Sequence, residues 1–333
     1  MQFIQGGNEM AENKLGGVGL VLSGGGGKGA YQIGVLKALK ENGMLEDVSA
    51  ISGVSIGAVN AMLYAMDDIN LMYDAWKDID METVFDVDLE MLRDGRFHFS
   101  RDEMLAMISK YLDFEKLINS PYDIYAAMCR IGDANGTNAD AVEIYNSINN
   151  VAPNPEYARL KDYDEDTIKK ILLASTALPI VYEAVEFNGG YYRDGGICDN
   201  EPVKPLYDAG IREFIIIGLK HGKVFDASKW PDAHFVTIYP SYDLGNLVEG
   251  TLDFSSKSID YRQLLGEKDG LRSINTKFNM DENYIKMEAA LAKIDHDEIM
   301  MRLKTQSTMK SVEARVNSNI DKFNELAKKF ENF

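Results

Sequence analysis

Two glycine-framed segments near the N-terminus lie where a short apolar run gives way to a helical pattern. Residues 23–29 read SGGGGKG, and residues 53–57 read GVSIG. A serine between two glycines at such a junction is typical of a nucleophile elbow, a turn so tight that its hydroxyl projects from the fold. A glycine run before a helix leaves backbone N–H groups free to bind an anion, either a phosphate or the oxyanion of acyl transfer. Together the two segments indicate a serine hydrolase.

The flanking patterns predict how these segments are held. Residues 18–23 form a short apolar strand, residues 30–42 an amphipathic helix, and residues 48–52 a second strand that leads into a helix ending near residue 66. This β-loop-α-β-loop-α order predicts a right-handed parallel sheet.

The rest of the chain predicts a three-layer α/β/α fold with a mostly parallel central sheet and a helical C-terminal extension. We expect an N-terminal lead at 1–15, one α/β domain at 16–275 and the extension at 276–333. Further strands are predicted at 122–130, 141–145, both sides of a hairpin turn at Asn188-Gly189, 213–219 and 235–239, and helices at 70–120, 167–175 and from about 250 to the end. Residues 85–100 carry an aromatic and apolar cluster that suits either ordinary packing or a cap beside the site.

Composition excludes some functions. The chain has 35 Lys and Arg against 53 Asp and Glu, a formal charge of −18, which argues against a nucleic-acid partner and against polybasic binding to anionic membranes. No signal peptide is visible, and the most membrane-like stretch, 50–66, is too short to span. A cytoplasmic location is therefore expected. Cys129 and Cys198 suit neither a disulfide framework nor a metal site, so we expect two free thiols.

The first glycine run has a second interpretation. Gly24, Gly26 and Gly29 also fit the G-x-G-x-x-G fingerprint of a dinucleotide-binding protein, which needs an acidic residue about twenty positions on, at the end of the second strand. Glu46 and Asp47 have that separation but precede the strand. A P-loop is excluded because Gly29, rather than Ser or Thr, follows Lys28.

A serine nucleophile needs a base. The histidines are His98, His221, His234 and His296. In the chain order of α/β-hydrolases the last three follow a candidate acid at Asp194, and His221, just after a strand, is the best of them. Asp194-Gly195-Gly196 is the more suggestive candidate, since a tight loop after a strand brings its carboxylate close to other backbone.

Four blocks resemble the patatin-like phospholipase family, of the bacterial type. They are SGGGGKGAYQIGVLKAL (23–39), ISGVSIGAVNA (51–61), LLASTALPIVYEAV (172–185) and YYRDGGICDNEPVKPL (191–206), in the family's order, within a resemblance covering about 16–270. The resemblance implies Ser55 as nucleophile, Asp194 as its base with no catalytic histidine, and backbone N–H groups of Gly25, Gly26, Gly27 and Lys28 as the oxyanion hole. The motif glycines are Gly24, Gly29, Gly53, Gly57, Gly195 and Gly196. Ser23 departs from the family, where many relatives carry Asp.

The resemblance also implies a reaction. It is the hydrolysis of fatty-acyl esters of phospholipids, lysophospholipids or acylglycerols at a membrane or micelle surface, with no metal or organic cofactor. Such an enzyme would be cytoplasmic and peripheral to membranes. The dinucleotide-binding protein, and an interaction protein acting through its C-terminal helix, stay as alternatives.

The last helix has a pattern of its own. Met309, Val316, Phe323 and Phe330 recur every seven residues, and Val312, Asn319 and Leu326 form the second seam of an apolar stripe. Residues 301–333 carry seven Lys and Arg against four Asp and Glu, a net +3, which leaves −21 for the rest of the chain. The stripe suits either packing against its own domain or a contact with a partner, such as a homodimer.

Overall fold

The computed structural model describes residues 16–79, 102–134, 139–149, 151–179 and 181–330. The strands are β1 (Val18–Leu22), β2 (Val48–Val54), β3 (Asp123–Asp133), β4 (Asn154–Arg159), β5 (Val185–Phe187), β6 (Gly190–Asp194), β7 (Glu213–Ile217) and β8 (His234–Ile238). They form one eight-stranded sheet in the order β5-β6-β3-β2-β1-β7-β8, and β4 pairs with β3 off this path. Strands β8, β7, β1, β2 and β3 are parallel neighbours, whereas β4, β5 and β6 pair antiparallel. The prediction of a mostly parallel sheet is confirmed.

Helices cover both faces of this sheet. The α-helices among the described residues are α1 (Ala30–Glu41), α2 (Ile56–Tyr64), α3 (Ile69–Asp78), α4 (Asp102–Tyr111), α5 (Phe114–Ile118), α6 (Ala139–Asn149), α7 (Glu165–Ser175), α8 (Lys204–Asp208), α9 (Ser256–Ser273) and α10 (Glu282–Phe330). Short 3-10 turns at Gly26–Gly29 and Gly195–Ile197 follow β1 and β6. None of these helices has the length and apolar composition needed to cross a membrane.

The alternation of side chains along β1 separates two apolar layers. Leu20 and Leu22 lie in the larger one, which includes the apolar faces of α1, α2, α3, α7 and α9. Val21 points to the opposite face and packs with Leu206 of α8 and Phe214 of β7 in a smaller cluster. The fold is therefore the three-layer α/β/α arrangement expected, with one thick and one thin helical layer.

Helices α1 and α9 pack almost backbone to backbone. A Cβ on Gly34 would lie 2.0 Å from the carbonyl oxygen of Gln263, and a Cβ on Gly266 would lie 2.0 Å from that of Tyr31. These reciprocal glycines bring α9 directly against α1, the helix that follows the first glycine loop.

Two predictions around β3 are wrong. Residues 141–145 belong to the helix α6 rather than to a strand, and residues 154–159 form β4, which was not expected. From Tyr125 to Arg130, β3 has neighbours on both edges, so no edge is left there for another strand. Pro155, which weakens a strand pattern, is tolerated because β4 pairs only on its β3 side.

The two cysteines are not free thiols. Cys129 of β3 and Cys198 form a disulfide, with their Cα atoms 5.7 Å apart and a sequence separation of 69. The antiparallel pairing places Arg193 of β6 opposite Cys129, and the turn after β6 returns Cys198 to β3. Sequence spacing gives no sign of this approach, because the sheet alone creates it.

The C-terminal helix α10 leaves the domain part-way along. Arg272 of α9 donates to Asp295 at 2.8 Å, and Ile299 is buried, which anchors the first part of the helix. Side chains at 304–315 are exposed. The interpretation in which the apolar stripe packs against its own domain therefore does not hold for this stretch. The domain boundaries at 1–15, 16–275 and 276–333 stay a prediction, and the suggested cap at 85–100 lies outside the described residues.

Candidate active site

Strand β3 brings the ends of β2 and β6 together. Because β4 occupies one edge of β3, β2 and β6 share the other edge and run towards each other. β2 ends with Val54 opposite Ala127, and β6 ends with Asp194 opposite the next residue of β3, Met128. The residue after β2 is Ser55, which therefore meets Asp194 at this junction.

Ser55 occupies a sharp turn between β2 and α2. Its backbone angles are φ 54° and ψ −127°, a conformation that residues with a Cβ rarely adopt and that a nucleophile elbow requires. The turn can close only because Gly53 and Gly57 have no Cβ. A Cβ on Gly57 would lie 2.2 Å from the Leu22 carbonyl oxygen, and one on Gly53 would lie 2.4 Å from the Gly57 carbonyl oxygen. The glycines at these two positions thus permit the close approach of α2 to β1.

Asp194 is a buried carboxyl, 4% exposed. Burial raises the pKa of Asp194, and hydrogen bonds from the Ser55 hydroxyl and from the Gly196 N–H offset part of this rise. The resulting pKa is about 6. The Gly196 N–H donates to Oδ1 at 2.8 Å. A Cβ on Gly195 would lie 2.4 Å from the Ala127 carbonyl oxygen, so the loop after β6 also needs glycine for its approach to β3. A carboxylate with this pKa is a stronger base than an ordinary aspartate and is still deprotonated at pH 7.

The first glycine loop lies beside the serine. A Cβ on Gly24 would lie 3.1 Å from the Ser55 Cβ. The 3-10 turn Gly26–Gly29 leaves the N–H groups at its start without acceptors inside the turn, which suits them to bind an oxyanion. The Lys28 N–H already donates to the Gly25 carbonyl at 3.3 Å, so Gly25, Gly26 and Gly27 are better placed as donors than Lys28.

The surroundings of the first glycine loop disfavour the alternative of a dinucleotide-binding protein. Cβ atoms on Gly26 and Gly27 would lie 2.1 Å from the carbonyl oxygens of Thr251 and Asp253. That side of the loop is therefore covered by the protein's own backbone. The exposed Glu46 and Asp47 lie before β2. The C-terminal end of β2 leads to Ser55 instead of to the acidic residue that the dinucleotide fingerprint needs.

Ser55 and Asp194 open into a cavity of about 710 Å³. Its apolar wall includes Ile56, Val59, Ile79, Ile108, Leu178 and Phe254, and its charged wall Lys28, Glu201, Lys220, Lys223 and Asp243. Burial lowers the pKa of Lys28, Asp243 opposes this effect, and Arg262 and Lys220 add to it. Lys223 pairs with Glu201 at 2.6 Å. The cavity thus combines apolar side chains that suit a hydrocarbon chain with cationic groups.

The histidines of the described residues do not form a triad with these groups. His221 lines the cavity, and its Nδ1 lies 2.8 Å from the Pro240 carbonyl oxygen, with no hydrogen bond joining it to Ser55 or Asp194. His296 stacks on Tyr242, and His234 is exposed at the start of β8. His98 lies outside the described residues. Nor does the described part of the chain hold a group of three or more His, Cys, Asp or Glu placed to bind a metal ion.

Two polar residues of the site were not singled out from the sequence. Ser175 at the end of α7 bonds the Ser55 backbone, and Asn200 Nδ2 donates to the Gly24 carbonyl at 3.3 Å. Both lie in blocks 172–185 and 191–206, which supported the family resemblance, but nothing local to them indicates their contacts. Only the folded sheet makes those contacts.

Comparison with known proteins adds a family match. A family model described as patatin-like phospholipase matches residues 20–207, which is more than half of the 333 residues.

Among curated relatives, lysophospholipase NTE1 of Cryptococcus neoformans (strain JEC21) is 27% identical over 211 residues, covering 63% of this chain and 12% of that protein. Lysophospholipase nte1 of Aspergillus terreus is 56% identical over 57 residues, 17% of this chain and 4% of the relative. The chain thus matches only a small part of each relative's length.

Two solved structures share a limited likeness. The type III effector ExoU aligns with a TM-score of 0.44 at 15% identity, covering 88% of this chain and 62% of that one. VipD from Legionella pneumophila aligns with a TM-score of 0.41 at 12% identity, covering 78% and 67%. Neither TM-score reaches 0.5, which is too low to carry a conclusion about function.

Proposed function

The chain belongs to the patatin-like phospholipase family, and on that basis we propose that it is a serine acyl hydrolase that cleaves fatty-acyl esters of lipids through a Ser55–Asp194 dyad. The observation that carries the proposal is the junction on β3, where Ser55 and a buried carboxyl whose pKa the Ser55 hydroxyl lowers line the same cavity.

The reaction has two steps. The Asp194 carboxylate accepts the hydroxyl proton as the Ser55 oxygen attacks the ester carbonyl, and the resulting oxyanion accepts hydrogen bonds from the N–H groups of Gly25, Gly26 and Gly27. The alcohol leaves with the proton from Asp194, and an acyl-serine remains. Asp194 then takes a proton from water, the hydroxide attacks the acyl-serine, and the proton returns to Ser55 as the fatty acid leaves.

The cavity supports a substrate with an acyl chain and an anionic group. Its volume lies within the usual range for a ligand pocket, and its apolar wall begins at Ile56, the residue after Ser55. Lys28 and Lys220 line the same cavity. Besides burial, the positive charges of Arg262 and Lys220 lower the pKa of Lys28 while Asp243 opposes them, so a phosphate bound near these lysines would add compensating negative charge. This arrangement favours a phospholipid or lysophospholipid over a neutral acylglycerol.

The head-group proposal is tested with one matched pair. Lys220→Gln should raise KM for a phospholipid about tenfold and leave KM for a diacylglycerol unchanged. Lys229→Gln, an exposed lysine outside the cavity, is the control and should change neither value. An equal change in KM for both substrates with Lys220→Gln would contradict the proposed preference for a substrate with a phosphate.

The central experiment combines ester hydrolysis with labelling by a fluorophosphonate. Ser55→Ala should lose both, and Asp194→Asn should lose at least 1,000-fold in kcat. Ser228→Ala and Asp47→Asn, both at exposed positions, are the matched controls. His221→Ala separates the dyad from a Ser–Asp–His triad, because only a triad would lose activity with it.

The kcat/KM of the wild type should rise as pH increases through about 6, as Asp194 loses its proton.

Three finer predictions accompany this proposal. Substrate would be met at a membrane or micelle surface, with the protein in the cytoplasm and peripheral to the membrane. Assignment to the bacterial type of the family stays a prediction, since the relatives named above are fungal. The reaction assigns no role to a cofactor.

A homodimer through α10 is the remaining prediction about partners. Met309 and Val312 are 60% and 52% exposed on the part of the helix that leaves the domain. Met309→Asp with Val312→Asp should convert a dimer to a monomer in analytical ultracentrifugation, and Ser311→Asp on the same helix should not. A monomeric wild type would exclude the dimer.

A further inference from the structure

The end of α7 contacts both members of the proposed dyad. The Ser175 hydroxyl oxygen accepts a hydrogen bond from the Ser55 backbone N–H at 2.9 Å, and the hydroxyl donates to the Ala127 carbonyl at 2.7 Å. Two residues later, the Ala177 carbonyl accepts the Asp194 N–H at 2.9 Å. A single short segment therefore links the elbow, the central strand β3 and the end of β6.

This segment is buried and its polar groups are in use. Ser175 and Ala177 are both 0% exposed. A serine hydroxyl has one proton to donate, and Ser175 gives it to Ala127 while its oxygen accepts from Ser55. Ser175 is also absent from the cavity lining, so it does not reach the substrate.

Ser55 needs such a contact because its backbone is strained. A non-glycine residue at φ 54° and ψ −127° persists only when the surrounding structure holds it there. The Ser55 N–H has left the β2–β3 ladder, which ends at Val54 and Ala127. Ser175 reconnects this N–H to Ala127, so the elbow stays attached to β3 one residue beyond the ladder.

We propose that residues 175–177 form a bridge that fixes the distance between the Ser55 hydroxyl and the Asp194 carboxyl, with Ser175 as the positioning residue. The bridge rests on the proposed function, because it matters for rate only if these two groups react together. It anchors both backbones to the same helix end, whereas Ser55 follows β2 and Asp194 ends β6, two strands that run towards each other.

The test compares two buried serines that each accept a backbone N–H. Ser120 is 5% exposed, and its hydroxyl oxygen accepts from the Tyr122 N–H at 3.1 Å, outside the cavity. Ser175→Ala and Ser120→Ala thus each remove a serine acceptor of a backbone N–H, and Ser175→Ala also removes the hydrogen bond to Ala127. For hydrolysis of a soluble chromogenic ester, we expect Ser175→Ala to lower kcat about 100-fold with KM within twofold, and Ser120→Ala to leave both unchanged.

Two further variants keep the test decisive if Ser175→Ala does not fold. Ser175→Cys nearly preserves volume but replaces the oxygen by a weak acceptor, and should lose at least tenfold in kcat while folding normally by circular dichroism. Ser175→Thr retains the hydroxyl and should recover most of the activity that the Cys variant loses.

The outcomes separate the bridge from the proposed function. A wild type with neither hydrolysis nor fluorophosphonate labelling would overturn the proposed function, and the bridge with it. An active, labelled wild type with Ser175→Ala or Ser175→Cys within threefold in kcat would overturn the bridge alone. An equal kcat loss in Ser120→Ala would also overturn it, since the effect would then be general to buried serines.

Discussion

Replacing Asp194 by Asn should remove activity and stabilise the fold. The carboxyl is 4% exposed, and burial raises its pKa to about 6. Asn has nearly the same shape, and its Oδ1 can still accept from the Gly196 N–H while its amide donates to Ser55. The substitution therefore removes the buried charge without removing its contacts.

The magnitude follows from the pKa. A value of about 6 lies roughly two pH units above that of an unfolded aspartate, and each unit corresponds to about 1.4 kcal/mol. Because the folded-state pKa is raised, the folded protein binds the proton more tightly than the unfolded chain. Stability is therefore lost as pH rises from about 4 to about 6, and the charged carboxylate costs about 3 kcal/mol at pH 7.

Urea unfolding at two pH values measures this effect. At pH 7, Asp194→Asn should raise the free energy of unfolding by about 3 kcal/mol, and below pH 4 it should equal the wild type. Asp47→Asn, at an exposed position, is the control and should stay within about 0.5 kcal/mol at both pH values. A gain that is the same at pH 4 and pH 7, or no gain at pH 7, would refute the reasoning.

Three more predictions concern the backbone and the disulfide. Ser55→Gly should raise the free energy of unfolding by about 1 kcal/mol relative to Ser55→Ala, because glycine accepts the φ of 54°. Gly266→Ala should lower the free energy of unfolding by about 3 kcal/mol or more, and with it the melting temperature, because its Cβ would lie 2.0 Å from the backbone of α1. Gly16→Ala is the control and should leave stability unchanged, because a Cβ there would have nothing within 4 Å. A thiol assay on the denatured, unreduced protein should detect no free thiol, and Cys129→Ala should lower the free energy of unfolding by up to about 4 kcal/mol by freeing the loop to Cys198. Two reactive thiols would contradict the disulfide.

The two turns of the candidate site could be predicted from the sequence for a local reason. The turns at 23–29 and 53–57 are each made within a few residues, so the glycines and the serine that they need are adjacent in the chain. The helices and strands around them are periodic, and their types agree with the structure. Residues 141–145 fail because a short apolar run suits a helix or a strand equally, and the full edges of β3 decide between them.

Contacts between distant segments escape such reasoning. Nothing in the block 172–185 indicates that Ser175 holds Ser55, and nothing near Cys129 points to Cys198. Each contact depends on the register of β6 against β3, which is a property of the assembled sheet.

By its sequence alone, the chain determines a parallel α/β start with a serine at one tight turn and backbone N–H groups available at another, because both depend on local steric limits. The tertiary structure alone decides that Asp194 meets this serine in a buried place, since β2 and β6 end at adjacent residues of one strand. That burial raises the pKa of the carboxyl to about 6 and so makes it a base suited to neutral pH.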